Sequence, residues 1–422
     1  MKKMFIMVVI LLLLFNNGYC NNKWWVFFND KGSSSLDINS QFVDLKKDWP
    51  ERSLKRRLMS GVNLSNEDLP IDDKYIEYVL ICGAQIVVKS RWMNAVSVIG
   101  DNKAIEEIEK LSCVKGVQHV KRAYRAEVEL VEISDEELNF NEVSMGGIPQ
   151  GLYGLSYRQA EQVGVIEAHA RGFTGAGVLL GILDTGFQLD HRAFAGMELL
   201  AQYDFINNDA DPSYDYRTDG RGQPNHGSGC LSVIAGFEPG RLVGIAPKVA
   251  VAVGKTEMTG TEMLLEEDYW VVGIEWLEWL GVDVVSSSLS YRDWYGIEDY
   301  DGITSVASLA AQRAFELGVV ICNSAGNSGP EMVTIGAPAD SPGVLAIAAV
   351  DSAGEVTGFS SRGPSSDGRL KPDVAAMGRQ VVCIRPQTWD KYSRWNGTSL
   401  SCPIVAGVVA LIREAHPDWT AQ

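Results

Sequence analysis

An aspartate, a histidine, an asparagine and a serine, each set among small neighbours, carry the chemistry available to this chain. Asp184 stands in Leu183-Asp-Thr-Gly186, after an apolar run and before a glycine turn. A carboxylate at a strand end of this kind faces a cleft. Asp-Thr-Gly also marks aspartic peptidases, but those need two such carboxylates, and the chain has no second Asp-Thr-Gly or Asp-Ser-Gly. The plain alternative is an aspartate that caps the next helix. Among five histidines (His119, His169, His191, His226 and His416), His226 differs by lying in Asn225-His-Gly-Ser-Gly-Cys230, where small residues let a substrate approach. A neutral imidazole can take a hydroxyl proton and return it to a leaving amine. No His-Glu-x-x-His occurs, so a zinc peptidase would lack its ligands.

Ser399 lies in Asn396-Gly-Thr-Ser-Leu-Ser-Cys-Pro403, ahead of the apolar residues 404–412. Proline is tolerated near a helix start, so Pro403 predicts a helix beginning close to Ser399. The positive helix end then favours negative charge developing beside the hydroxyl. Thr398 or Ser399 acting only as a helix cap is the alternative. Asn327, in Asn323-Ser-Ala-Gly-Asn-Ser-Gly329, can extend a side-chain amide towards a tetrahedral oxyanion, or simply hold a turn.

These residues need a scaffold, and the patterning supplies one. Apolar runs at 177–183, 281–285, 318–322 and 344–350 read as strands buried on both faces. Helical stretches over 264–280 and 305–317 each end at a glycine suited to a helix C-terminus. Alternation of this kind predicts an α/β fold with a doubly wound, mainly parallel sheet and its site at the carboxyl ends of the strands. Residues 21–120 read separately, as a small α+β unit with strands near 24–28, 85–88, 95–98 and 114–120 and a helix over 104–111. Residues 121–153 turn acidic and lose periodicity, which predicts an exposed linker open to proteolysis.

Length and composition set the outer bounds. The 422 residues suffice for two to three domains, and 46% hydrophobic with 22% charged residues describes a core-forming chain. A net charge of −17 argues against nucleic acid or anionic membranes as partners. Residues 1–20 read as an export signal: Lys2 and Lys3 precede an apolar run at 4–15 that is too short for a comfortable membrane span. The predicted location is therefore secreted or cell-envelope, without stable membrane insertion. Lipid anchoring at Cys20 is the lesser alternative, because Tyr19 is bulky where that processing needs a small residue. The seven cysteines form no Cys-x-x-Cys pair, and buried free thiols are expected.

Taken in order, the four segments resemble the subtilisin family of serine peptidases over about residues 154–422. Further matching blocks are Gly244-Ile-Ala-Pro247, Ser288-Leu-Ser290, Phe359-Ser-Ser-Arg-Gly-Pro364 and Lys371-Pro-Asp373. The resemblance implies that Asp184 orients His226, that His226 activates Ser399, and that Asn327 with the Ser399 N–H holds the oxyanion. It also implies that Ser288, Leu289 and Ser290 pair with the extended backbone of a protein or peptide substrate. Ser324, Ala325 and Gly326 would wall the primary specificity pocket. Residues 24–120 resemble the family's propeptide, implying a temporary inhibitor and folding aid removed by self-cleavage between Phe140 and Tyr153.

Several features depart from the family or leave a choice. His226-Gly-Ser228 replaces the usual His-Gly-Thr, and Leu231 and Ser232 stand where smaller residues are usual, so that helix is expected to pack differently. Ala193 replaces a calcium-binding carboxylate, and the loop 236–240 differs, so no metal site is assigned and the chemistry is expected to need no cofactor. Relatives run on past the serine helix, so a catalytic domain truncated at its C-terminus is expected. The alternative function is a catalytically inactive subtilisin-fold scaffold or binding protein, against which stand all four intact residues. Serine-carboxyl peptidases, with glutamate in place of histidine, are disfavoured by His226.

Overall fold

A strand covered by helices on both sides has no polar face, and Leu179–Asp184 shows the result: all six residues are buried. Leu180 and Ile182 point to one layer of the core, with Leu231, Ile234 and Ile404, while Leu179 and Leu183 point to the other, with Trp270, Ile274 and Leu277. In this computed structural model the described residues are 22–32, 35–120, 148–259, 265–292 and 295–422. The export signal, Cys20 and the acidic linker as far as residue 147 lie outside them, as does most of the stretch expected to hold the maturation site.

The main sheet comprises β5 (Leu179–Asp184), β6 (Glu198–Asp204), β7 (Ala250–Lys255), β8 (Val284–Ser287), β9 (Val320–Ser324), β10 (Val344–Val350) and β11 (Val374–Met377). Two short hairpins, within 237–243 and 381–395, lie apart from this sheet. The strand order is β11-β10-β9-β8-β5-β7-β6, and each of the six pairings is parallel. Helices Leu265–Leu280 and Val306–Glu316 cover one face, and Asn225–Ala235 and Thr398–Ala415 cover the other. The expected α/β class and parallel sheet are observed. Three strands were not predicted: the edge strands β6 and β11, which expose part of their length and so lack a continuous apolar run, and the inner strand β7, whose buried run ends in Gly254 and in Lys255 paired with Asp204.

The N-terminal unit is an antiparallel sheet of β1 (Lys23–Phe28), β2 (Gln85–Ser90), β3 (Ala95–Ile99) and β4 (Val114–His119), in the order β2-β3-β1-β4. It is α+β, as expected. One face packs Trp25, Val88, Trp92 and Ala95 directly onto Trp270, Ile274 and Leu277 of the main domain. A short helix, Glu51–Met59, adds an ionic seal. Arg56 and Arg57 are both buried against Glu278, and Arg57 also pairs with Asp68 at 2.8 Å. Arg56 further donates to the Val282 carbonyl at 2.8 Å and the Leu317 carbonyl at 3.2 Å. Helices Leu265–Leu280 and Val306–Glu316 end at Gly281 and Gly318, whose φ values of +88° and +91° favour glycine. With a further bond to the Glu278 carbonyl at 3.1 Å, the Arg56 guanidinium sets positive charge against the carboxyl ends of both helices.

The linker reading needs one correction. Ile148–Tyr153 is helical, Tyr153 is buried in the main core, and the Leu152 carbonyl accepts from Gly240 N at 2.7 Å. The acidic run carried no apolar periodicity, but its last turn has an aromatic residue to bury. All six described cysteines are free thiols, and all but Cys82 are buried.

Candidate active site

Asp184 ends β5 at the carboxyl edge of the sheet, fully buried. Its Oδ1 accepts from Thr185 N and meets His226 Nδ1, each at 2.7 Å. A carboxylate only accepts, so Nδ1 carries the proton and Nε2 is left to act on a hydroxyl. The close approach depends on glycines. A Cβ on Gly227 would lie 2.3 Å from the Gly186 carbonyl oxygen and 3.0 Å from Asp184 Cβ, so only glycine lets this helix reach the aspartate turn. Gly186 itself has φ +118°. Burial pulls the imidazole pKa down, but the adjacent Asp184 charge outweighs it, so His226 lies well above the ordinary 6.5.

Ser399 is the second residue of helix Thr398–Ala415, so the predicted helix start is observed. Pro403 sits four residues later, inside the helix, and has no N–H for the Ser399 carbonyl. That carbonyl instead accepts from Ser288 Oγ at 2.8 Å and Cys230 Sγ at 3.3 Å. Burial pushes the Cys230 thiol pKa up, which keeps its proton in place. The same sulfur lies 3.9 Å from His226 Nδ1, so one thiol bridges the histidine and serine segments. The Ser399 hydroxyl donates to the Ser288 carbonyl at 3.3 Å rather than to the imidazole. Hydroxyl–base bonds commonly tighten only with substrate in place.

Asn327 follows β9, and its Oδ1 accepts from Thr398 N at 2.9 Å and Thr398 Oγ1 at 3.0 Å. This fixes the amide orientation and leaves Nδ2 as the outward donor. The position a Cβ would take on Gly397 is 3.6 Å from Ser399 N and 3.7 Å from Asn327 Nδ2. Two N–H donors thus face one small space that glycine leaves open, an arrangement able to stabilise an oxyanion.

The predicted substrate-binding segments flank this space. Ser288, Leu289 and Ser290 continue from β8, and Ser324, Ala325 and Gly326 end β9 and lead to Asn327. Asn323 Nδ2 joins the two by donating to the Leu289 carbonyl at 2.9 Å and the Ser324 carbonyl at 3.0 Å. The direct contacts of Ser288 and Cys230 with Ser399 were not foreseen. Pro403 was the available signal, because a proline inside a helix frees the carbonyl four residues earlier.

The unusual helix after His226 is accommodated by hydrogen bonds. Ser228 Oγ donates to the Pro224 carbonyl and accepts from Gln188 N at 2.7 Å. Ser232 Oγ donates to the Gly229 carbonyl at 2.7 Å and accepts from Ile384 N at 3.0 Å, while Leu231 is core. Among the other histidines, His169 bonds Tyr153 and the Ile245 carbonyl, and His191 caps the turn Arg192–Phe194.

Residues 175–422 match the Subtilase family, peptidase S8, and residues 23–133 match the peptidase S8 propeptide domain of Bacteroidota. The chain belongs to the subtilase family: it is a subtilisin-type serine peptidase with an N-terminal propeptide domain. It is 33% identical over 290 residues to the subtilisin-like protease PopC of Myxococcus xanthus, covering 64% of this chain and 59% of PopC. With subtilisin DY of Bacillus licheniformis it is 31% identical over 275 residues, covering 64% of this chain and 87% of that enzyme. The crystal structure of fervidolysin from Fervidobacterium pennivorans shares the fold, with a TM-score of 0.65 and 20% identity, over 96% of this chain and 56% of that one.

Proposed function

We propose that this subtilase is a secreted serine endopeptidase, made as a self-processing proenzyme, with Asp184, His226 and Ser399 as its catalytic triad and Asn327 as an oxyanion donor. The observation that carries this reading is convergence: the Asp184–His226 pair and Ser399 meet around Cys230, and two N–H donors face one space beside Ser399. His226 Nε2 takes the Ser399 proton as Oγ attacks the peptide carbonyl. Asn327 Nδ2 and Ser399 N hold the resulting oxyanion. The imidazolium then protonates the leaving amine, and water, activated by the same histidine, hydrolyses the acyl-enzyme.

Protein or peptide substrates would pair their extended backbone with 288–290, and 324–326 would wall the primary side-chain pocket. Each step uses protein groups and water, so the chemistry requires no cofactor. Calcium is left unassigned, since Ala193, buried in the turn Arg192–Phe194, offers no side-chain donor.

The propeptide role is supported by the apolar and ionic contact between the two units. Export rests on residues 1–20, and the acidic surface favours neither nucleic acid nor anionic lipid. Casein digestion by the secreted wild type, absent in Ser399→Ala, tests the activity. N-terminal sequencing tests maturation: a start between 140 and 153 supports it, and residues before Lys121 still attached would contradict it.

A further inference from the structure

The slot between 288–290 and 324–326 is not open to its full depth, because a side chain stands in it. Ser290 Oγ lies 2.3 Å from where a Cβ would stand on Gly336 and 3.3 Å from the same position on Gly326. Both glycines are buried, whereas Ser290 is half-buried. The hydroxyl therefore lies in front of two glycine faces, in space their missing side chains would otherwise leave to a ligand. Its backbone has little freedom to withdraw. The next residue, Tyr291, exchanges two hydrogen bonds with Ala337, at 2.8 and 3.2 Å, which holds Ser290 against Gly336. Tyr291 is itself fully buried, with its hydroxyl 3.2 Å from Glu257. A second hydroxyl, Ser361 Oγ, lies 2.8 Å from the Cβ position of Gly326, so that glycine has serine on two sides. The slot opens beside the nucleophile, since Ser288 exchanges hydrogen bonds with Ser399 and Asn327 directly follows Gly326.

We infer that Ser290 makes this a peptidase for small side chains: cleavage follows alanine, serine or glycine, while phenylalanine, tyrosine and leucine are disfavoured by contact with its hydroxyl. The inference rests on Ser399 being the nucleophile and on this slot receiving the residue before the scissile bond.

The test compares tetrapeptide p-nitroanilides that differ only in ending with Ala or Phe, on mature wild type, Ser290→Gly and Ser290→Ala. Active sites are counted first with a fluorophosphonate, which needs no side chain in the slot. Wild type is expected to favour the Ala substrate in kcat/KM. Ser290→Gly is expected to raise the Phe-to-Ala ratio by about tenfold or more, the scale on which pocket size discriminates. Ser290→Ala, which keeps Cβ and loses the hydroxyl, is expected between the two and serves if glycine there prevents folding. A labelled wild type that favours Phe, or a ratio unmoved by both substitutions, overturns the role of Ser290 alone. A wild type that fails to label overturns the nucleophile assignment instead.

Discussion

Ser288 and Ser399 are joined in both directions: Ser288 Oγ donates to the Ser399 carbonyl at 2.8 Å, and Ser399 Oγ donates to the Ser288 carbonyl at 3.3 Å. The first bond exists because Pro403 leaves that carbonyl without a helical partner. It ties the start of the serine helix to the strand proposed to hold the substrate, so nucleophile and substrate backbone share one anchor. Replacing Ser288 by alanine leaves the carbonyl to Cys230, a weaker donor. Unfolding by denaturant is expected to show a loss of about 1–2 kcal/mol, accompanied by reduced turnover. Unchanged stability would mean that the bond does not anchor the helix.

Replacing Asn327 is expected to separate binding from chemistry. Its Oδ1 is held by Thr398, and Nδ2 faces the space beside Ser399 N. Asn327→Ala is expected to lower kcat by about 10²–10³, the range observed for loss of one such donor in subtilisin, with little change in KM. Steady-state kinetics check this. A change confined to KM would assign Asn327 to substrate binding instead.

The pH dependence follows from the Asp184–His226 pair. The base must be neutral, so kcat/KM rises with pH through the His226 pKa, with its midpoint above 6.5. Burial alone would lower that pKa, and Asp184 raises it, so Asp184→Asn is expected to move the midpoint of the residual activity downward as well as reduce the rate. The raised value also means that the pair stabilises the fold below pH 6.5, a contribution lost as pH rises through the folded-state pKa. A wild-type midpoint clearly below 6.5 would contradict this electrostatic account.

Glu278 is the ionic centre of the contact between propeptide and enzyme, with Arg56 and Arg57 both buried upon it. Removing one member of a buried ion pair leaves an uncompensated charge, at a cost of about 3–5 kcal/mol. Glu278→Ala in the mature enzyme is therefore expected to weaken inhibition by separately added propeptide by about 10²-fold or more. Inhibition titrations measure this, and an unchanged inhibition constant would show that the apolar contact suffices.

The candidate site was legible in the sequence because each of its residues sits in a constrained local setting. Asp184 ends an apolar run, His226 is followed by a glycine whose place no larger residue fits, and Ser399 lies in the first turn of a helix whose start Pro403 marks. The tie between Ser288 and Ser399 was not legible, because it joins residues 111 apart and depends on a carbonyl rather than a side-chain motif. Edge strands β6 and β11 were missed because half-exposed strands lose the apolar run that marks central ones, and the buried β7 was missed because its run ends in a lysine whose partners, Asp204 and Asp219, are distant in sequence. The helix Glu51–Met59 was not predicted: Arg56 and Arg57 are buried on it, and nothing near them in sequence reveals this, since their partner Glu278 lies more than two hundred residues away.

The central claim is that Ser399 is a nucleophile activated by His226. Labelling by a fluorophosphonate probe, with the modified peptide identified by mass spectrometry, tests it most directly. Correctly processed wild type is expected to be labelled at Ser399, with no labelling of Ser399→Ala. Unlabelled wild type, or equal labelling of the two proteins, would contradict it.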